Sequence, residues 1–262
     1  MRIDERQKYI LQKASAEGFV SINDMAKALD VSIETVRRDI NKLCAQKQLQ
    51  KTRGGASPVK LNLRKDIDYS ARIHHNKKER LAIGMEAASM IPNGSIVALD
   101  CGVSIQAIAS CLKNISNVTF VTNSLPSACI ILEKIEEREI DARLIFVGGE
   151  IDTKNRFSKG VKATETVDEF FFDIAFISCT AISVDDVASY SLDEASFSKH
   201  IMARSARSVL VAESDKVGKN SFSSFARIGD FDRIIIDDNM DIPSDVEKAI
   251  RSSRAELVIV SC

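Results

Sequence analysis

Three short polar stretches of this 262-residue chain carry residue types able to hold an anion: Asp100-Cys101-Gly102-Val103-Ser104, Thr122-Asn123-Ser124 and Gly148-Gly149-Glu150. In the first, Gly102 permits close backbone approach and the Ser104 hydroxyl precedes a helical run. That combination gathers N–H groups and the positive end of a helix dipole around negative charge. Asp100, Gly102, Ser104, Asn123, Gly148 and Gly149 are therefore candidate ligand residues, although each stretch taken alone also reads as an ordinary turn. A second chemistry stands earlier, where Ser32, Thr35, Arg37, Arg38, Asn41 and Lys42 put hydroxyls and cations on one outward helical face. Such groups suit phosphates and base edges. Metal chemistry has no comparable set: the six cysteines form no C-x-x-C pair, and His74, His75 and His200 show no ligand spacing with cysteines or acids. The cysteines are expected to be reduced core residues, and neither a metal nor a cofactor is expected.

The cationic face needs a scaffold. Met25, Ala26 and Leu29 form the inward face of a short helix, Val31 plugs a turn, and Val36, Ile40 and Leu43 repeat at helical spacing on a second helix opened by Ser32 as N-cap. This is a helix-turn-helix. Residues 4–17 supply a third helix through Tyr9, Ile10, Leu11 and Ala14, closed by Gly18. The basic, alternating stretch 46–56 with its Gly54-Gly55 pair predicts a β-wing. Charge agrees: residues 1–65 hold 14 Lys+Arg against 7 Asp+Glu, the remainder 22 against 30, so a net charge of −1 hides halves of about +7 and −8. A polyanion is the expected partner of the first half, and an ordinary three-helix unit with a solvated basic face is the alternative.

The anion-holding stretches need strands that end beside them. After a linker at 58–75 the pattern alternates: a helix at 80–90, a strand at 95–99, a helix at 105–112 and a strand at 118–122. Further apolar strands are expected at 142–147, 174–178, 208–212, 233–236 and 257–261. The expected fold class is α/β, a winged helix-turn-helix over 1–57 followed by a mostly parallel α/β domain over 76–262. Ligands of such sheets bind beyond the carboxyl ends of the strands. The N-terminus has no apolar leader and no run approaches the roughly 18 apolar residues of a membrane span, so a cytoplasmic protein without membrane partners is expected.

The stretch Val31-Ser32-Ile33-Glu34-Thr35-Val36-Arg37-Arg38-Asp39-Ile40, followed by Thr52-Arg53-Gly54-Gly55-Ala56, resembles the DNA-binding signature of the DeoR family of bacterial transcription regulators. The resemblance implies that Ser32, Thr35, Arg37, Arg38 and Lys42 face DNA, with Lys51 and Arg53 on the wing. Asp39 is expected to hold an arginine in place. The second half resembles the sugar-phosphate sensor domain of that family, related in fold to ribose-5-phosphate isomerase. Asp100-Cys-Gly-Val-Ser104 stands where the family has Asp-x-Gly-Thr-Thr, while Val121-Thr-Asn-Ser124 and Val147-Gly-Gly149 match directly. Leu192-Asp-Glu-Ala195 with Lys199, then Glu213-Ser-Asp-Lys216, match further positions and add Glu194, Lys199 and Lys216 to the implied effector set. Val103 and Ser104 depart from the threonine pair, and Ser178-Cys179-Thr180-Ala181 replaces a glycine-bearing stretch.

The resemblance implies a repressor of a carbohydrate-use operon, bound to a double-stranded DNA operator as a dimer or tetramer and controlled by an anionic effector such as a phosphorylated sugar. Two other readings stand beside it. The second domain could only oligomerise, or it could be a sugar-phosphate isomerase or deaminase. The related isomerases carry an Asp-Gly-Ala-Asp-like loop and a glycine-rich lysine loop, whereas Asp173-Ile-Ala-Phe-Ile-Ser178 has neither a second acid nor a glycine run. No catalytic residue is therefore assigned.

Overall fold

The computed structural model describes residues 3–17, 19–46, 48–52, 54–58 and 69–262, which fall into two compact units divided after Leu61. The first unit contains α1 (Ile3–Glu17), β1 (Val20–Ser21), α2 (Ile22–Leu29), α3 (Ile33–Ala45), β2 (Leu49–Thr52) and β3 (Gly55–Pro58). Ile10 and Ala14 of α1, Met25 and Ala26 of α2 and Val36, Ile40 and Leu43 of α3 form its core, with Leu29 and Val31 packed against them. The Ser21 hydroxyl accepts from the Asp24 N–H at the start of α2, and the Ser32 hydroxyl accepts from the Thr35 N–H at the start of α3. Between the helices Asp30 turns the chain at φ 51°, a left-handed conformation that aspartate tolerates. The wing is an antiparallel sheet in the order β1-β3-β2. A Cβ on Gly55 would lie 1.9 Å from the Val20 carbonyl oxygen, so only glycine lets β3 lie this close to β1. Gly18 and Arg53 lie outside the described residues.

The second unit runs α4 (Tyr69–Arg72), α5 (Lys77–Ser89), β4 (Ile96–Leu99), α6 (Val103–Cys111), β5 (Val118–Thr122), α7 (Leu125–Glu136), β6 (Ala142–Phe146), β7 (Glu150–Asp152), β8 (Phe157–Lys159), α8 (Val161–Asp168), β9 (Ile174–Ser178), β10 (Ala181–Ile182), β11 (Asp186–Ser189), α9 (Leu192–Ala203), β12 (Ser208–Ala212), β13 (Ser223–Arg227), β14 (Arg233–Asp237), α10 (Ser244–Ser252) and β15 (Glu256–Val260). Seven strands form one sheet in the order β15-β14-β12-β9-β4-β5-β6, and every pair is parallel. Both faces are covered, which is why these strands read as unbroken apolar runs. Side chains of alternate parity separate into two cores. Val97, Leu99, Phe176 and Val211 pack with α5, α6 and α7, whereas Ala98, Ile177, Leu210 and Ile236 pack with α8, α9 and α10.

Three features differ from the sequence reading. Within the stretch read as linker, residues 69–72 form helix α4 with Tyr69 buried, a short turn before α5; residues 59–68 lie outside the described residues. Two small antiparallel sheets, β10-β11-β13 and β7-β8, flank the main one. All six cysteines are unpaired, but Cys129 and Cys262 are exposed rather than in the core, the first on the outer side of α7 and the second at the chain end. Among the described residues, no helix is long and apolar enough to cross a membrane, and no group of three His, Cys, Asp or Glu side chains is arranged to hold a metal.

Candidate ligand site and nucleic-acid interface

The strand order decides where a ligand can bind. From β4 the chain adds β5 and β6 on one side, then crosses back to place β9, β12, β14 and β15 on the other. The connections leave β4 and β9 in opposite directions, and a crevice opens beyond the carboxyl ends of those two strands. A cavity of about 400 Å³ lies there. Its walls are residues 101–104 after β4, residues 178–180 after β9, Glu213 and Lys216 after β12, Glu194 of α9, and a segment from α4 to α5 carrying Arg72, His74, His75, Asn76 and Arg80.

Buried charges organise this cavity. Arg80 is buried and donates to the carbonyls of Arg72 and Ile73, both at 2.9 Å, while its guanidinium lies 3.6 Å from Glu213. Glu213 also receives the Ser104 hydroxyl at 3.1 Å and pairs with the Lys216 ammonium at 2.5 Å. Burial alone would raise the Glu213 pKa, but the charge and hydrogen bond of Lys216, then Arg80, hold it down to about 2. Asp100 lies beneath the floor. It accepts from the N–H of Cys101 at 2.8 Å, the N–H of Ser178 at 3.3 Å and the hydroxyl of Ser198 at 2.9 Å, so one carboxylate fastens the β4 end, the β9 end and α9 together. Burial raises its pKa to about 7 despite these donors.

Gly102 adopts φ 116°, and a Cβ there would stand 2.8 Å from the Ser178 hydroxyl oxygen. Ser178, at one of the family departures, uses that hydroxyl to donate to the Cys101 carbonyl at 2.7 Å. The loop after β4 is thus clamped to the loop after β9. Gly102 also leaves the first turn of α6 without a capping side chain.

Of the residues chosen from sequence, Gly102, Ser104, Glu194 and Lys216 line the cavity, and Asp100 supports it from below. Asn123, Gly148, Gly149 and Lys199 do not line it. Asn123 is fully buried, and its amide donates to the Ser158 carbonyl at the β5–β8 junction. A Cβ on Gly149 would meet the Lys159 carbonyl at 2.7 Å, so this glycine serves packing against β8. Gly148 precedes it, and Lys199 is exposed on α9. The physical reason is the crossover: β5 and β6 lie on the side of β4 away from β9. Sequence reasoning missed Arg72, Arg80, Glu213 and the histidines. A signal existed for Arg80, which shares the i, i+3, i+7 face of α5 with buried Ile83 and Ala87.

In the first unit, α3 presents Arg37, Arg38 and Lys42 to solvent. Arg37 pairs with Glu34 at 2.9 Å, an exposed contact one turn away. The Ser32 and Thr35 hydroxyls lie 2.8 Å apart, so capping the helix and placing Thr35 are the same interaction. Lys51 is exposed on β2. Asp39 is buried and holds Arg6 of α1, with Gln7 donating to its second oxygen at 3.1 Å.

A winged helix-turn-helix and an α/β unit with a charged crevice, carried on one chain, define the class of transcription regulators with a built-in sensor. The chain belongs to the DeoR family: residues 6–60 match the DeoR-like helix-turn-helix domain and residues 75–238 the DeoR C terminal sensor domain. An uncharacterized HTH-type transcriptional regulator of Staphylococcus epidermidis is 32% identical over 81% of this chain and 83% of its own. The glycerol-3-phosphate regulon repressor of Escherichia coli is 27% identical, covering 90% of this chain and 92% of its own. A solved structure of D-ribose-5-phosphate isomerase in complex with phospho-erythronic acid aligns with 53% of each chain at 13% identity and a TM-score of 0.39. Members of the family are transcription regulators, not enzymes.

Proposed function

We propose that this protein is a repressor of a carbohydrate-use operon whose grip on its operator is controlled by a phosphorylated sugar bound in the β4–β9 crevice. One observation carries the reading: three cations, Arg72, Arg80 and Lys216, converge on one cavity with the uncapped first turn of α6. Two carboxylates, Glu194 and Glu213, share the cavity, and Glu213 is already engaged by Arg80 and Lys216. The balance of three cations against two carboxylates favours an anion, and Glu194 and Thr180 also line the cavity with groups of the kind that meet sugar hydroxyls. Ser32, Thr35, Arg37, Arg38, Lys42 and Lys51 meet DNA in this reading. A homo-oligomer follows from affinity, because a single module of this size buries less surface than specific operator binding uses.

Thermal melts of the full chain with ribose 5-phosphate, glucose 6-phosphate and fructose 6-phosphate, each beside its unphosphorylated parent and inorganic phosphate, test the reading. A phosphorylated compound that binds the native state raises the melting temperature and releases operator in gel shifts. A chain that responds to none of them, while holding its operator, counts against the sugar-phosphate reading and favours a second domain that only oligomerises.

A further inference from the structure

We infer that the outer face of α7 is where two copies of this chain dock, the helix packing antiparallel against its own counterpart across a two-fold axis. The inference rests on the homo-oligomer of the reading above and assigns the contact that makes it. Leu125, Cys129, Leu132 and Glu136 follow one another at intervals of four, three and four residues, so they form one stripe along the helix. All four are exposed, the two leucines by 41% and 48%. The other side of the helix carries Ser127, Ala128 and Ile131, which are buried. Phe171 and Phe222 are more exposed than these leucines, but the Arg204 guanidinium lies 4.2 Å over the first ring and the Tyr190 ring lies 6.4 Å from the second. Those rings therefore have partners within their own chain.

Position, spacing and charge make a second copy the occupant. Strand β6 ends the seven-stranded sheet and α7 packs on β5 and β6, so another molecule reaches α7 from beyond the sheet edge without displacing a strand. Leu125 and Leu132 stand two turns apart, about 10 Å along the axis, and Cys129 lies close to their midpoint. A two-fold axis there sets Leu125 of one copy against Leu132 of the other and brings the two Cys129 thiols together. Charge follows the same symmetry. The first turn of α7 has no acid, whereas the exposed Glu133, Glu136 and Glu137 crowd its C-terminal end, and Lys134 of that turn is already paired with Glu139 at 2.5 Å. There the glutamates oppose the dipole of their own helix. In the antiparallel pair they meet the positive N-terminal end of the other copy's α7. The exposed Arg156 stands at that end, its carbonyl accepting from the Leu125 N–H at 3.0 Å.

Sedimentation velocity on the full chain, over a series of protein concentrations, compares wild type with Leu132→Glu, Glu136→Arg and Cys129→Ser. Wild type should associate. Leu132→Glu should weaken that association by about 10-fold or more and Glu136→Arg by about 3-fold or more, since the two-fold axis repeats each change. Cys129→Ser should associate like wild type. Diamide gives an independent reading, because it takes two protons and two electrons from a pair of thiols that meet. In a Cys262→Ser background it should join two chains rapidly, and adding Cys129→Ser should remove that product. Thermal melts show whether Leu132→Glu is folded; if it is not, Glu136→Arg and the cross-link decide. A wild type that associates while Glu136→Arg and folded Leu132→Glu associate equally well, or while its Cys129 thiols fail to join, docks through another surface. That result overturns the inference and leaves the homo-oligomer standing. A wild type that stays monomeric throughout overturns both together.

Discussion

Asp39, in the middle of the helix whose outer face carries Arg37 and Arg38, accepts from Arg6 of α1, and both partners are buried. The acid therefore fixes α3 against α1 and does not confront DNA. Removing one partner of a buried ion pair strands the other, at a cost of about 3–5 kcal/mol. Asp39→Ala should accordingly lose operator binding by unfolding the first unit. Hydrogen exchange on the full chain checks this: amides of α1 and α3 should lose protection while those of β4 and β9 keep it.

Much of this molecule was legible in its sequence, for a reason visible in particular residues. Ile174-Ala-Phe-Ile-Ser178 and Ser208-Val-Leu-Val-Ala212 are apolar but for one terminal serine each because each strand has helices on both faces, and Ser32 marks its helix start by a local hydrogen bond. What escaped was nonlocal. Thr122-Asn123-Ser124 and Asp100-Cys101-Gly102 both follow an apolar strand with polar residues, and only the crossover between β6 and β9 sends one to the crevice and the other to a packing role. Helix α4 is four residues long, too short for periodicity to register, and it carries Arg72 into the cavity wall. The strands β10, β11 and β13 escaped for the same reason of length and irregularity, β11 and β13 slipping register between Val187 and Ala188.

Arg38 and Lys42 present their charges to solvent on α3, whereas Arg37 is partly satisfied by Glu34. Arg38→Ala should weaken operator binding by about 1–3 kcal/mol if it reads a base, with relaxed sequence preference; if it meets a phosphate, the loss should be uniform and the salt dependence shallower by about one charge. If this face of α3 meets DNA, Glu34→Ala removes an anion beside Arg37 and should tighten binding to any sequence. Gel-shift titrations at two salt concentrations measure all of this. Folded Arg38→Ala protein with wild-type affinity would remove α3 from the interface.

Gly102 combines a backbone conformation hostile to side chains with contact against Ser178. Gly102→Ala should therefore destabilise the second unit by about 1–3 kcal/mol, and Gly102→Ala combined with Ser178→Gly should recover only part, since the crowding disappears but φ 116° remains strained and the Ser178 bond to the Cys101 carbonyl is lost. Gly102→Asp adds a negative charge at the first turn of α6 and should abolish the response to phosphorylated sugars while operator binding persists. Urea denaturation followed by calorimetry separates the two effects. Full additivity of the single and double changes would show that contact with Ser178 plays no part.

Asp100 and Glu213 give opposite pH dependences, which makes them separable. Asp100 is raised in the folded state to about 7 from 3.8, so the native protein holds a proton that the unfolded chain releases. Its contribution is complete below pH 3.8 and is lost as pH climbs through about 7. Glu213 is lowered to about 2 from 4.5, so its contribution is present above pH 4.5 and is lost as pH falls through about 2. Both groups support the crevice, Asp100 by fastening three elements under it and Glu213 by holding Arg80, Lys216 and Ser104 in its wall. Asp100→Asn should flatten the decline in stability between pH 4 and 7 without altering the acid limb, and Glu213→Gln should remove its part of the acid limb and lower stability at neutral pH, where Arg80 and Lys216 are left facing each other. Urea midpoints of both variants and wild type across pH 3–8 provide the comparison. An Asp100→Asn protein whose stability still falls as steeply as wild type from pH 4 to 7 would show that the buried carboxylate is ionised throughout that range and that another group governs the slope.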